Sequence, residues 1–212
     1  MRAVIIGGGD FSASQADYIK DGDFVICADS GYDSAIKYNI HADIVIGDMD
    51  SVKNSVEGEK IVYPRRKDFT DGELAVRYAL ENGYDDILLT GFTGERLDHT
   101  LSDIFMLHII SENSAKGVLM DDYNRIYYIS PKNPVLKINS QSGENMSLVP
   151  LCDLSGVYTK GLEYPVENED IPFFASRTLC NVVSSDDAEI GLSDGRALVI
   201  FSKDKNERQN EI

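Results

Sequence analysis

Up to Met120, short apolar runs alternate with stretches of helical periodicity. Ala3–Ile6, Phe24–Cys27, Ile44–Ile46, Ile61–Tyr63, Ile87–Thr90 and Val118–Met120 read as strands. Strands separated by helices are the rhythm of βαβ units around a mainly parallel sheet. Most of these runs end in Gly or Asp, which places such residues at the carboxyl edge of the sheet. Open α/β sheets bind their ligands at that edge.

Two helices bear on chemistry. Thr70 and Glu73 have the T-x-x-E spacing of a capping box, followed by Leu74, Ala75 and Tyr78 on one face and by Gly83 at the expected C-cap. A second helix begins near Asp98 and carries Leu101, Ile104, Phe105 and Leu107. After about Tyr123 the pattern changes. Strand-like runs at Arg125–Ile129, Val135–Ile138, Asn145–Val149, Val157–Thr159, Thr178–Val183, Glu189–Leu192 and Ala197–Phe201 follow one another, separated by turns such as Ser142-Gly143 and Asp194-Gly195. No helix intervenes, so an antiparallel sandwich or barrel is expected. The chain thus predicts an α/β domain over residues 1–123, an all-β antiparallel domain over 124–204 and a frayed tail over 205–212.

With 212 residues, 42% of them hydrophobic, the chain can build a substantial core. Its net charge of -16 argues against nucleic acid or an anionic membrane as partner, and favours a cationic small molecule. Cys27, Cys152 and Cys180 have no CxxC spacing, and their odd number suits a reducing compartment. Cys27, within an apolar run, reads as a buried inert thiol. The opening run Arg2–Ile6 is too short for a signal peptide or a membrane span, which suggests a cytoplasmic protein.

Three acidic clusters fall at strand ends: Gly47-Asp48-Met49-Asp50-Ser51, Lys67-Asp68-Phe69-Thr70-Asp71 and Thr93-Gly94-Glu95-Arg96-Leu97-Asp98-His99. Asp48 and Asp50 stand two apart in an extended segment, so both carboxylates can face one ion. Hard divalent cations take such oxygen ligands and accompany triphosphates. Asp71 completes the metal set of Asp48, Asp50 and Asp71, although an acidic residue is also favoured in a first helical turn by the macrodipole. Arg65, Arg66 and Lys67 are either a solvated charge run or holders of phosphate. Arg96 offers a fork for phosphate oxygens, and Asp98 can orient an attacking hydroxyl. His99 is either a base or a locally bonded structural residue. Asp29 and Ser30 suit a ribose contact or a helix cap, and Gly7-Gly8-Gly9 suits a phosphate or a tight turn.

In this order the motifs resemble the thiamine pyrophosphokinase family: Asp-Ser-Gly at 29–31, Gly-Asp-Met-Asp-Ser at 47–51, Lys-Asp-x-Thr-Asp at 67–71 and Gly-x-Arg-Leu-Asp-His at 94–99. Ser147-Leu148-Val149-Pro150-Leu151 and Thr159-Lys160-Gly161-Leu162-x-Tyr164-Pro165 extend the likeness over nearly the whole chain. The resemblance implies an ATP-binding α/β domain, a C-terminal β-sandwich and a homodimer. It implies Mg²⁺-assisted transfer of diphosphate from ATP to the hydroxyl of thiamine, releasing AMP. ATP would be held by Asp29, Ser30, Gly31, Lys67, Asp68, Thr70, Thr93, Gly94 and Arg96, with Asp98, Asp71 and Arg96 catalytic. Thiamine would meet Asp98, and, across the dimer, Cys180 and Asn181. Cys180 stands where the family's Gly-x-Ser-Asn has serine, and the chain has no Trp to cover a pyrimidine. Two other classes remain open on the residues alone. Asp48-x-Asp50 resembles the DxD motif of metal-dependent transferases that use nucleotide-sugars, and a nucleotide-sensing module would need no catalytic Asp71 or Asp98.

Overall fold

A computed structural model describes residues 1–138, 143–173 and 175–203. The backbone divides into two compact units, Met1–Asp122 and a second beginning at Tyr123.

The first unit runs β1 (Arg2–Ile6), α1 (Ala13–Ala16), β2 (Phe24–Ala28), α2 (Gly31–Lys37), β3 (Ile44–Gly47), β4 (Glu59–Val62), α3 (Asp71–Glu81), β5 (Asp86–Thr90), α4 (Leu97–Ile104), α5 (Met106–Glu112) and β6 (Lys116–Met120). Its strands lie in the order β6-β5-β1-β2-β3-β4, and every neighbouring pair is parallel. Such a sheet is covered on both faces, which explains runs with no polar alternation: β3 is buried throughout and β1 from Ala3 onward. Val4, Ile6, Val25, Cys27 and Val45 pack with Tyr32 and Ala35 of α2 on one face. Helix α3 packs across β1, β2 and β3. Burial pushes the Cys27 thiol up to about 12, with the Asp43 charge adding to it, so the inert reading of that thiol holds.

Helix ends fix the approach of side chains to the sheet edge. The Thr70 hydroxyl accepts from Glu73 N–H at 3.1 Å, so half of the expected capping box forms. Its reciprocal arm does not, because the Glu73 carboxylate takes Arg77 at 2.7 Å instead. At the other end Gly83 adopts φ +81, and the Gly83 and Tyr84 N–H groups return to Leu80 and Ala79 in a Schellman arrangement. Gly31 lets α2 start hard against β1: a Cβ there would stand 2.0 Å from the Ile6 carbonyl oxygen. The helix expected from Asp98 through Leu107 is interrupted at Phe105 (φ −71, ψ −10), dividing it into α4 and α5. The break turns the buried face. Ile104, Met106, Leu107 and Ile110 point inward, whereas Leu97, Leu101 and Phe105 stay exposed.

The second unit contains β7 (Asn124–Ile129), β8 (Val135–Ile138), β9 (Asn145–Pro150), β10 (Leu154–Lys160), β11 (Glu169–Ile171), β12 (Asn181–Val182), β13 (Ala188–Gly191) and β14 (Ala197–Ser202). They form two antiparallel layers, β12-β9-β14-β7 and β11-β10-β13-β8. Ile129, Met146, Leu148 and Val199 from the first layer share one core with Ile138, Leu154, Val157 and Ile190 from the second, which makes the unit a sandwich. Strand β9 alternates buried and half-buried positions as a two-sided strand should. Two readings need correction. The short β11, with its acidic Glu169-Asp170, was not anticipated, and the run Thr178–Val183 is strand only at Asn181–Val182. Thr178 instead donates its hydroxyl to the Leu148 carbonyl at 2.8 Å, and Cys180 takes a left-handed turn at φ 56. Ser142 of one expected turn, residue 204 and the tail at 205–212 lie outside the described residues.

Asn181, 5% exposed, is the clasp of this region. Its Oδ1 accepts from Tyr164 N–H at 3.0 Å and Val182 N–H at 2.9 Å, and its Nδ2 donates to the Tyr164 carbonyl at 2.7 Å. Asn181→Ala leaves these backbone groups without partners. It should destabilise the protein by about 2–3 kcal/mol, read as a lowered midpoint in urea denaturation at unchanged slope.

Candidate active site

A cleft of about 960 Å³ opens at the carboxyl ends of the parallel strands. Its floor comes from Gly8–Asp10 after β1, Asp29 and Ser30 after β2, Asp48 to Ser51 after β3 and Gly91–Arg96 after β5. The start of α3 and the cleft-facing side of α4 complete the walls. That is the edge where side chains from separate strands converge in an open α/β sheet.

Carboxylates crowd the strand ends. Oxygens of Asp29, Asp48 and Asp50 all lie within 4.8 Å of one another. Asp29 takes an unusual left-handed backbone (φ 46) to reach this position, and its Oδ1 is buried without a hydrogen-bond partner. Burial first, then the charges of Asp71 and Asp48, push its pKa above the ordinary aspartate value, although the Ser30 N–H works against the shift. The Asp50 N–H, at 3.1 Å, holds Asp48 below the usual range, and Lys67 adds to the effect against some burial. An orphaned buried oxygen among three convergent carboxylates suits a hard divalent cation, which takes oxygen ligands and would relieve their repulsion. Asp71 of the expected metal set lies in the same cleft, close enough for its charge to act on Asp29. Its Oδ1 sits 2.9 Å from the Lys67 ammonium, which also reaches Asp48 Oδ2 at 3.4 Å. Burial disfavours that ammonium, but the Asp71 hydrogen bond and charge outweigh it and raise the Lys67 pKa. Arg65 reaches Asp50 at 3.2 Å.

In the same cleft Arg96 forks onto Asp98, with Nη2–Oδ2 at 2.5 Å and Nε–Oδ1 at 3.2 Å. That pairing brings the exposed Asp98 down to about 2. Asp98 is therefore a permanent anion, a good acceptor for a hydroxyl and a weak base. Asp103, further along α4, faces the same cleft half-buried, and burial pushes its pKa up to about 6. Nothing in the sequence marked it, because its distinction from its acidic neighbours is desolvation alone.

The glycine run after β1 resolves in favour of the tight turn. The N–H groups of Gly7, Gly9 and Asp10 are taken by the carbonyls of Thr90, Gly91 and Thr93. A Cβ on Gly9 would stand 2.4 Å from the Thr93 oxygen, so the glycines serve the close approach of two loops. Of the expected site residues, Asp29, Ser30, Asp48, Asp50, Lys67, Thr70, Asp71, Thr93, Gly94, Arg96 and Asp98 all line the cleft. Gly31 and Asp68 do not: Gly31 is buried in the α2–β1 contact and Asp68 is exposed. His99 lines the cleft with an exposed side chain. Cys180 and Asn181 belong to the second unit, where Cys180 is exposed and the Asn181 amide is committed to backbone.

Comparison with known proteins agrees with this geometry. Residues 15–119 match the family model "Thiamin pyrophosphokinase, catalytic domain", and residues 135–196 match "Thiamin pyrophosphokinase, vitamin B1 binding domain". Thiamine pyrophosphokinase of Bacillus subtilis (strain 168) is 28% identical over 167 residues, covering 74% of this chain and 77% of that protein. A crystal structure of thiamine pyrophosphokinase from Bacillus subtilis superposes with a TM-score of 0.87 at 25% identity, covering 96% of this chain and 100% of the other. The fold extends to thiamin pyrophosphokinase from Candida albicans, at a TM-score of 0.79 and 17% identity over 95% of this chain and 89% of that one.

The Asp103 shift has a sign that can be checked. A carboxyl raised on folding contributes fully below its ordinary value of 3.8, and that contribution is lost as the pH rises through about 6. Asp103→Asn removes the buried charge, so it should raise stability at pH 8 by on the order of 1 kcal/mol after solvent screening. At pH 4 the variant and the parent should denature alike in thermal scans.

Proposed function

We infer the reaction from kinship and cleft together: the chain belongs to the thiamin pyrophosphokinase family and is an enzyme of the diphosphotransferase class. It transfers the β,γ-diphosphate of ATP to the hydroxyethyl oxygen of thiamine and releases AMP. The observation that carries this reading is one cleft holding Asp29, Asp48 and Asp50 beside Lys67, together with the Arg96–Asp98 pair. The DxD-type spacing of Asp48 and Asp50 is thereby absorbed into a nucleotide site, without a sugar-nucleotide acceptor.

Asp29, Asp48 and Asp50 would hold Mg²⁺. When bound, the cation neutralises phosphate charge and polarises the phosphorus under attack. Lys67, fixed by Asp71, and Arg65 supply the basic groups that a triphosphate needs in so acidic a chain. Asp71 would hold Lys67 in place and offers a further carboxylate to the cation. Arg96 meets phosphate oxygens while its fork orients Asp98. Asp98 accepts a hydrogen bond from the thiamine hydroxyl and aims its oxygen at the β-phosphorus. The new oxygen–phosphorus bond forms as the bond from the β-phosphorus to the α-bridging oxygen breaks, and its electron pair leaves on AMP. The hydroxyl proton departs late, to water or a phosphate oxygen, as a loose transition state allows. The low pKa of Asp98 suits orientation and not proton abstraction.

The protein acts as a homodimer in the cytoplasm. Leu97 (68% exposed) and Leu101 (48%) on α4 and Phe105 (48%) at its C-cap recur at four-residue spacing, next to Asp98, and form an apolar stripe that a second copy would cover. Among the described residues no helix is long and apolar enough to cross a membrane. Thiamine, a cation, is favoured by the field of an acidic chain. Cys180 offers it an exposed contact, while Asn181 shapes the backbone there.

Four outcomes are expected. Incubation with ATP, Mg²⁺ and thiamine should yield AMP and thiamine diphosphate in equal amounts by chromatography; ADP as the nucleotide product would refute the reaction. Asp50→Asn should cut turnover roughly 10²-fold or more in a folded protein, whereas Asp98→Asn should cost roughly 10–10²-fold without moving the pH–rate profile. Leu101→Glu should shift the mass measured by light scattering from dimer to monomer and lower activity with it.

A further inference from the structure

Eleven residues, from Asp48 to Gly58, join β3 to β4 with no helix or strand among them. This loop carries two of the three convergent carboxylates, and the third, Asp29, stands at the mouth of α2. Like charges so close repel, and a loop without regular structure would relieve the repulsion by swinging its carboxylates outward. Something must hold it in. The described contacts show what does.

Asp33, in the first turn of α2, reaches across to the middle of this loop. Its Oδ1 accepts from Asn54 N–H at 3.0 Å and Asn54 Nδ2 at 2.6 Å, and its Oδ2 accepts from Lys53 N–H at 2.9 Å. Burial raises the carboxyl's pKa, but these donors outweigh it and hold Asp33 below the ordinary value, so the clasp is made by an anion. The neighbouring Tyr32, itself buried, accepts Glu57 N–H on its hydroxyl at 3.1 Å. Met49, Val52 and Val56 of the same loop pack against the core that includes Tyr32. One helix therefore begins beside Asp29 and grips the loop bearing Asp48 and Asp50 at two points. The grip uses backbone N–H donors, which the loop cannot satisfy within itself by secondary structure.

We propose that Asp33 is a positioning residue that holds the Asp48–Asp50 loop against Asp29 and so pre-forms the divalent-cation site. The proposal rests on the metal reading given above and adds a residue that touches neither cation nor substrate. Outer partners of this kind orient ligands that would otherwise relax, and their loss typically costs 10–100-fold in metal affinity. Asp33→Ala frees three donors and lets the loop open. Asp33→Asn keeps one acceptor oxygen for Asn54 and loses only part of the grip.

The test is Mn²⁺ binding to the full chain, followed by electron paramagnetic resonance of the free ion, with and without ATP. D33A should bind Mn²⁺ about 10–100-fold more weakly than the parent, and D33N should recover to within about threefold of it. In amide exchange, Lys53 and Asn54 should lose protection in D33A. With saturating Mn²⁺ in assays of the same variants, kcat should recover while the KM for thiamine stays put. Were D33A unable to fold, Y32F, which removes only the acceptor for Glu57 N–H, should show a smaller weakening in the same titration. Undiminished Mn²⁺ affinity in D33A, or in Y32F standing in for it, would overturn the proposal, even if the variant melted earlier. A parent protein that takes up no Mn²⁺, or a D50N variant that binds it as the parent does, would instead overturn the metal reading beneath it.

Discussion

The ammonium of Lys67, held between Asp71 and Asp48, is the contact on which the cleft depends. Parallel β-strands bring their carboxyl ends together whether or not the side chains there are compatible. In this chain four aspartates arrive at that edge: Asp29, Asp48, Asp50 and Asp71. A half-desolvated cluster of that charge would either protonate or splay. Lys67 prevents both at Asp48 and holds Asp71 in place, and the depressed Asp48 and raised Lys67 pKa values agree that the Asp48–Lys67 pair is ionised. Asp29 shows the strain that remains, as a raised pKa and a buried oxygen without a hydrogen-bond partner, a lack that Asp71 Oδ1 shares beside its ion pair with Lys67. The cluster thus keeps a net negative charge, which further positive charge beside Asp29 would offset.

That balance explains why so acidic a protein can take a triphosphate. The substrate's charge would be repelled by a net charge of -16, and the strand-end aspartates would add to the repulsion locally. In the proposed reaction, a divalent cation held by the aspartates would convert the least favourable part of the surface into the point of attachment. Arg65, Lys67 and Arg96 then need only cover the oxygens that the cation does not. The same field favours a cationic acceptor, so the two substrates are selected by opposite features of one electrostatic surface.

The order of the elements was legible because each layer imposes its own period. Buried parallel strands read as uninterrupted apolar runs, and the sandwich strands read as alternation, since one face of each meets the shared core. The Thr70 cap and the Gly83 C-cap were legible for the same local reason: both are backbone requirements with few residue solutions. What escaped depends on three-dimensional neighbours. The break at Phe105 comes from which side of a helix is buried, and the loss of strand around Thr178 from a hydroxyl that meets the Leu148 carbonyl. Candidate ligands were recognisable as types, but their grouping was not. Sequence spacing set Asp71 with Asp48 and Asp50, and the fold adds Asp29 through a left-handed backbone turn and sets Lys67 against Asp71.

The Arg96–Asp98 pair shows why geometry must be read with charge before a role is assigned. An aspartate beside an incoming hydroxyl invites the role of general base, which works best with a pKa near the working pH. Arg96 forecloses it by holding Asp98 at about 2. The same pairing fixes the carboxylate on its wall of the cleft, so orientation is gained by the interaction that removes basicity. Phosphoryl transfer tolerates the exchange, because its transition state places charge on phosphate oxygens and asks little of the attacking oxygen. In the proposed reaction the arginine that pins Asp98 would also carry the positive charge that those oxygens require. A stronger base at position 98 would need a weaker hold from Arg96, and would give up phosphate stabilisation that this reaction needs more.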